Sequence, residues 1–463
     1  MINNRKLVAL EQAMEILNRR AGSYNVVTAS RIKGPLSEEL VRQALDLVQR
    51  RHPRLNSRIV GTLDNLRFET QGTRKIPLRV VNKFHNEQWQ DVVVEEMNEK
   101  IDSSKVLVRA VLVHIESEDN TSYLLTTIHH AITDALSGIR LHSELLTYCQ
   151  SLASGDRITH VSSLPVLPSV EELLPESMKG FRGTIKSLLF LLRLTLQHLW
   201  HQPKTLGIEK DVPLELRRCG LVHRQLDEEL TQQFVELCRQ EKTTVQGALS
   251  AAMLWAAARN ITAGNKTKVC LSCESYVDLR RRLKPIISDE NMSVLASSVT
   301  SFHTIRTQTS ITAFHTLKTS TSFWTLARDV KQKLEAGLKR GNIFSVVLMS
   351  RKIIESALSQ PNQVPLTVAL TNVGRVNIPK NYGLFQLEEI SYYPAQAAFG
   401  GVFTAAVATF EGKMILNFIF SEPSISRETM ETLVNSVVSC IVDACSFSTS
   451  TKTTYPELAK VPS

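Results

Sequence analysis

The sequence predicts an α+β protein made of two halves of related design, and three observations lead there. Its 463 residues are enough for roughly two or three domains. Within each half, strand-like segments come first and a helix closes the series. Between the halves, from about Gly155 to Val212, the alternation stops, and prolines at 165, 168, 175, 203 and 213 surround one apolar stretch, 187–200. The chain therefore divides into an N-terminal domain over 1–155, a crossover linker with an apolar helix over 156–215, a C-terminal domain over 216–450 and a tail over 451–463.

Each element has a local reason. Residues 24–32 carry the β-branched pattern of a strand, which Gly34-Pro35 ends. Ser37 then caps a helix with Glu38 and Glu39 in its first turn and Val41, Ala44, Leu45 and Val48 at helical spacing. Short strands are expected over 55–60, 66–69 and 78–81, a helix over 87–98, and a hairpin from the apolar runs 106–115 and 122–128. The second run ends at His129-His130, and a helix over 135–151 follows. In the second half, helices are expected over 227–240 and 244–259, strands over 269–277 and 294–304, and a long helical region over 313–356. Further strands occupy 366–420, and a last helix covers 426–444.

Composition narrows the function. Hydrophobic residues at 43% and charged residues at 21% are those of a globular protein with a large core. The net charge of +9 is thinly spread, with Arg280-Arg281-Arg282 and Arg19-Arg20 its main clusters, and aromatics are only 6%, which argues against nucleic acid as a partner. Acidic carriers, phosphorylated cofactors and anionic lipid remain open. Seven cysteines in so long a chain do not make a disulfide framework. Cys270 and Cys273 lie in a strand-like run, where they face opposite sides, so no zinc or redox pair is expected. The first residues lack the apolar core of a signal peptide, and the expected compartment is the cytoplasm.

The densest set of reactive side chains is His129-His130-Ala-Ile-Thr-Asp134, at a strand-to-helix junction. Adjacent histidines at a strand end point opposite ways, so only one can face a given cleft. Histidine suits proton transfer near neutral pH, its ordinary pKa being about 6.5. A purely structural reading competes: Asp134 as the cap of the following helix, and the histidines as satisfied core residues. Metal ligation is not expected, because no Glu or Cys stands nearby at ligand spacing. There is no Gly-x-Ser-x-Gly elbow, P-loop, His-Glu-x-x-His or Gly-x-Gly-x-x-Gly.

The segment from His129 to Asp134 resembles the His-His-x-x-x-Asp-Gly motif of the CoA- and carrier-dependent acyltransferase superfamily. That superfamily includes chloramphenicol acetyltransferase, nonribosomal peptide condensation domains, alcohol acetyltransferases and mycobacterial polyketide-associated acyltransferases. Three further segments stand in the expected order. Arg5 to Glu11, followed by Leu45 to Arg51 and His52-Pro-Arg-Leu55, looks like the family's N-terminal strand and helix. Tyr276-Val-Asp-Leu-Arg280-Arg-Arg-Leu283 is similar to its "V-(N/D)-L-R-x-R" stretch, and Leu370-Thr-Asn372-Val-Gly374 to its "(S/T)-N-(L/V)-G" segment. Two departures stand out: Ala135 replaces the motif glycine, which Gly138 does not obviously replace, and the plant-type Asp-Phe-Gly-Trp-Gly is absent.

The resemblance implies two chloramphenicol acetyltransferase-like domains forming a pseudo-dimer with an interface channel. An acyl group would pass from an acyl-CoA or acyl-carrier thioester, supplied in trans, to a hydroxyl of a small-molecule or lipid acceptor, with no bound cofactor and no metal. His130 and Asp134 would be the catalytic pair, His130 as general base and Asp134 as organiser of its loop. His129, Arg280 and Asn372 would support them: Arg280 as ion-pair partner of Asp134, Asn372 as an oxyanion donor or, preferably, a structural residue. The other histidines, including His52, His303 and His315, are read as structural or surface residues. A stand-alone amide-forming condensation enzyme and a catalytically silent carrier- or thioester-binding protein are the alternatives. For 187–200, too short and too basic to span a bilayer, three readings stand: a helix packed on the domains, a flap over the acceptor entrance, or an interfacial helix touching anionic lipid.

Overall fold

The computed structural model describes residues 4–22, 24–117, 120–263, 268–306 and 318–452. His315, the start of the helical region expected at 313 and all but two residues of the expected tail lie outside them. The first half runs β1 (Arg5–Lys6), α1 (Ala9–Arg20), β2 (Asn25–Lys33), α2 (Glu38–Arg51), β3 (Arg58–Val60), β4 (Arg67–Glu69), β5 (Leu78–Lys83), α3 (Trp89–Asn98), β6 (Val108–Ile115), β7 (Thr121–His129) and α4 (Ala135–Ala153). The crossover carries α5 (Gly180–His201). The second half runs β8 (Arg218–Leu226), α6 (Glu228–Gln240), α7 (Val245–Ile261), β9 (Lys268–Asp278), β10 (Ala296–Arg306), α8 (Lys318–Lys339), α9 (Asn342–Ser359), β11 (Val368–Arg375), β12 (Asn381–Tyr382), β13 (Phe385–Pro394), β14 (Phe403–Phe410), β15 (Lys413–Glu422) and α10 (Arg427–Lys452).

Two six-stranded sheets carry the α+β architecture, in the orders β12-β13-β2-β7-β6-β5 and β10-β9-β11-β14-β15-β8, with a small third sheet, β1-β4-β3. The first sheet does not respect the expected boundary at 216. β13 pairs antiparallel with β2, Ile390 opposite Ser30, so residues 381–394 of the second half complete the sheet that carries the histidines. Alternation in 385–394 shows a strand; its partner, more than 350 residues away, is chosen by burial on both faces and is not written in local pattern. The expected single helical region is two helices broken at Gly341, whose φ of +72° a side-chain-bearing residue rarely adopts.

Helix α5 packs against α9 along one narrow face only. Of its 22 residues only Gly183 and Ser187 are buried. Its last turn is pinned where the His201 ring stacks on Phe302 of β10 at 4.8 Å. Phe181, Ile185, Leu188, Leu189, Leu192, Leu196, Leu199 and Trp200 are exposed, Trp200 by 85%. One narrow face of 187–200 thus packs on the domains, while the apolar remainder faces solvent.

Candidate active site

His129 ends β7, and the chain turns at once through a short 3-10 segment, His130–Ile132, into α4. That turn sends the two rings apart. His129 is fully buried on the α1 side, where its Nδ1 accepts from the Ala131 N–H at 3.1 Å and its Nε2 lies 2.8 Å from Glu15 Oε2. Burial raises the Glu15 pKa, but His129, Ser103 and Arg19 together outweigh it and hold the carboxyl down to about 2. Glu15 also accepts from Ser103 Oγ and Arg19 Nε, each at 2.6 Å.

His130 faces the other way, into a cavity lined by both halves of the chain, among them Tyr24, Ala135, Tyr276, Asn372, Tyr392 and Thr404. Its Nδ1 lies 2.8 Å from the Thr133 carbonyl oxygen, which can only accept, so Nδ1 carries the proton. Nε2 is left as the free, unprotonated nitrogen. The Tyr24 ring stacks on the imidazole, centroids 5.7 Å apart and planes 17° from parallel. Burial lowers the His130 pKa, against the Thr133 carbonyl and Asp134, which raise it. An imidazole of this kind stays neutral at physiological pH and can take a proton.

Asp134 is committed elsewhere. It caps α4 by accepting from the Ser137 N–H at 2.8 Å, and it also accepts from the Leu295 N–H at 3.1 Å. Arg280, wholly buried in the turn after β9, reaches across from the second half, with Nη1 to Oδ2 at 2.8 Å and Nη2 to Oδ1 at 3.0 Å. The same guanidinium donates to Asp278 and Ser137, both at 2.8 Å. Burial works against the Asp134 charge, and Arg280 and Ser137 more than offset it, so its pKa falls. The cap reading and the ion-pair reading are both realised in one carboxylate.

Asn372 also lines the cavity, its Oδ1 accepting from the Gly374 N–H at 2.8 Å. That bond leaves the side-chain NH₂ as the free end. Ala135 opens α4 on the cavity wall. Gly138 serves packing: a Cβ there would stand 2.3 Å from Thr28 Oγ1 of β2. His52 pairs with Glu144 at 2.7 Å and His303 with Asp329 at 2.7 Å. No residue of 187–200 lines the cavity, which goes against the flap reading. Sequence reasoning missed Glu15, Tyr24, Tyr392 and Thr404. None sits in a motif, and only the three-dimensional pairing of strands brings them to the site.

A cavity walled by both halves, with one untied imidazole nitrogen facing it, places the chain among two-lobed proteins whose site lies between the lobes. Residues 12–166 match the condensation-domain family, and residues 217–419 match the family described as phthiocerol/phthiodiolone dimycocerosyl transferase C-terminus. The chain belongs to the CoA- and carrier-dependent acyltransferase superfamily, and with it to the acyltransferase class of enzymes. Solved structures share the two-lobed fold. Trichothecene 15-O-acetyltransferase from Fusarium sporotrichioides is 13% identical with a TM-score of 0.74, covering 96% of both chains. Polyketide synthase associated protein 5 from Mycobacterium tuberculosis is 17% identical with a TM-score of 0.65, covering 95% of this chain and 97% of its own. The first condensation domain of the calcium-dependent antibiotic synthetase, in complex with a substrate analogue, is 12% identical with a TM-score of 0.68, covering 96% of both. No curated protein sequence matches the chain.

Proposed function

We propose that the chain transfers an acyl group from a CoA or acyl-carrier thioester to a hydroxyl of a lipophilic acceptor, forming an ester, with His130 as general base. One observation carries this reading: the Nδ1–H bond from His130 to the Thr133 carbonyl leaves Nε2 as the free acceptor on a cavity-lining ring. Nε2 takes the proton of the acceptor hydroxyl as its oxygen attacks the thioester carbonyl carbon. The tetrahedral intermediate collapses with cleavage of the C–S bond, and the imidazolium returns the proton to the thiolate, so ester and free thiol leave a neutral His130. General-base catalysis of this kind is worth roughly 10² to 10⁴ in rate, and holding both substrates in line contributes much of the rest. Asp134 and Arg280 act as positioning residues, fixing the turn that aims the imidazole. His129 anchors the same turn from behind. The free NH₂ of Asn372 is the candidate donor to the developing oxyanion.

The lipophilic acceptor rests on α5. Its exposed apolar face is flanked by Lys179, Arg182, Lys186 and Arg193, with no acidic residue between 180 and 201, the composition of a helix that lies on anionic lipid. The reaction is tested by single-turnover transfer from acyl-CoA and from an acyl-loaded carrier. Turnover by the parent and loss of at least about 10² in His130→Ala are expected. A parent that binds thioester without turnover would instead make the chain a silent binding protein.

A further inference from the structure

A general base works best when a further group orients it. For His130 the hydrogen bonds supply only part of that hold. Its Nδ1–H donates to the Thr133 carbonyl at 2.8 Å, a bond within its own turn. One bond fixes one atom of the ring and leaves the plane free to swing, because the second side-chain torsion of histidine is broad. Asp134, four residues on, is taken by Arg280, Ser137 and the Leu295 N–H, and none of these bonds reaches the imidazole. They fix the turn, not the ring.

Tyr24 stands against the face of that ring, centroids 5.7 Å apart and planes 17° from parallel, an offset stack. Its backbone is delivered by sheet pairing. Asn25, the next residue, is opposite His129 in the ladder between β2 and β7, so the pairing that ends at the histidines also brings Tyr24 to the turn beyond them. Asn25 is wholly buried. Its carbonyl oxygen accepts from the Ala395 N–H at 2.8 Å, and its Nδ2 donates to the Glu99 carbonyl at 3.2 Å, which ties the approach to Tyr24 to the chain after β13 and the chain after α3. Burial, with Glu274 and Cys219 adding to it, pushes the Tyr24 phenol above its ordinary pKa of 10, so the ring stays neutral across the working pH range.

We propose that Tyr24 is the positioning residue that sets the plane of the His130 imidazole: the Thr133 carbonyl fixes where Nδ1 lies, and the Tyr24 ring fixes how the imidazole is turned about that bond. This rests on the acyl-transfer reading above. The aromatic face does the holding, and the hydroxyl is not needed for it. Displacing a reacting atom by about 1 Å can cost about 10²-fold in rate, so the loss of Tyr24 is read in kcat more than in KM.

The test combines steady-state acyl transfer with proton NMR of the His130 ring in the full chain. Tyr24→Leu lowers kcat by at least about tenfold with little change in KM, and Tyr24→Phe, which keeps the ring, recovers most of that loss. In a His130→Ala background Tyr24→Leu costs almost nothing further, because the group that Tyr24 aims is already gone. The carbon-bound imidazole protons of His130, identified by their absence from the His130→Ala spectrum, feel the ring current of Tyr24; they move in Tyr24→Leu and hold in Tyr24→Phe. Tyr24→Met, an unbranched filler, takes the place of Tyr24→Leu should that variant fail to fold. A parent without turnover whose imidazole signals respond in this way keeps the clamp on His130 and removes the acyl-transfer reading. An unchanged kcat in Tyr24→Leu, a Tyr24→Phe variant as impaired as Tyr24→Leu, an equal loss with and without His130, or imidazole signals indifferent to Tyr24→Leu overturns the proposal.

Discussion

The guanidinium of Arg280 is forked across the carboxylate of Asp134, two parallel N–H···O bonds of 2.8 and 3.0 Å joining residues that stand 146 positions apart. Both side chains are buried. Removing one partner strands the other, which costs about 3–5 kcal/mol, whereas removing both leaves less uncompensated charge. Arg280 keeps Asp278 and Ser137 when Asp134 is lost, and Asp134 keeps two backbone N–H groups when Arg280 is lost, so the low end of that range applies. Asp134→Ala and Arg280→Ala should each destabilise by about 3 kcal/mol in urea, with the double variant short of the sum by more than about 1 kcal/mol. Strict additivity would mean that the fork does not exist in solution.

The pair also shows what could be read in advance. Asp134 and Arg280 lie in short contiguous segments whose residue order carries the information, and the same holds for the orientation of His130, which follows from two adjacent rings at a strand end. Glu15 and Thr404 belong to an ordinary helix and an ordinary strand, and Tyr24 directly precedes β2. What makes them part of the site is register and sheet order, such as the insertion of β13 beside β2, and these are set by burial between distant segments. The crossover was visible as a break in rhythm, yet an apolar helix reads the same whether its face is buried or bare.

For His130 the pH profile has a defined direction. The base must be neutral, and burial puts its pKa below the ordinary 6.5. The acid limb of kcat/KM should therefore bend below pH 6.5, with a plateau through neutrality. A limb centred above pH 7 would speak against this residue. His129→Ala, by contrast, should keep more of the activity and lose more stability, because it leaves Glu15 buried beside an empty space.

Acid sensitivity of the fold should come first from histidine. His142 is buried between the hydroxyls of Ser30 and Thr126, with its pKa lowered by burial to about 3. Between pH 6.5 and 3 the unfolded chain binds a proton there that the folded chain does not, so stability falls as pH drops, by up to about 1.4 kcal/mol per pH unit for each such group. Glu15, held down to about 2, contributes stability that is present above its ordinary 4.5 and is lost only below it. Across the window from pH 6.5 to 4.5 the carboxyls of Glu171, Glu274 and Glu389, whose pKa burial raises, work in the opposite direction, so His142 is isolated by the difference between parent and variant. Urea midpoints of His142→Gln should fall less toward acid than those of the parent. An unchanged slope in that variant would remove His142 from the account.

The exposed face of α5 separates a membrane contact from a packing accident. Leu189, Leu192 and Leu196 stand on it at exposures of 60%, 57% and 56%, so changing them to Ser costs the fold little. Between a basic N-terminal turn at Lys179, Arg182 and Lys186 and the exposed Trp200 at the far end, the helix presents apolar surface with cationic flanks. No helix among the described residues is long and apolar enough to cross a membrane, so the contact must be made in the plane of the interface. The parent should co-sediment with vesicles containing phosphatidylglycerol, and less with phosphatidylcholine alone, losing the difference in high salt because each basic residue near the surface is worth about 1 kcal/mol. The triple Ser variant should lose at least about tenfold in binding, keep its melting temperature, and raise KM for long-chain acceptors while turning over short ones normally. A variant that unfolds, or that loses short-chain and long-chain activity alike, would make α5 part of the core after all. A parent that ignores both kinds of vesicle would leave the apolar face for a protein rather than a lipid.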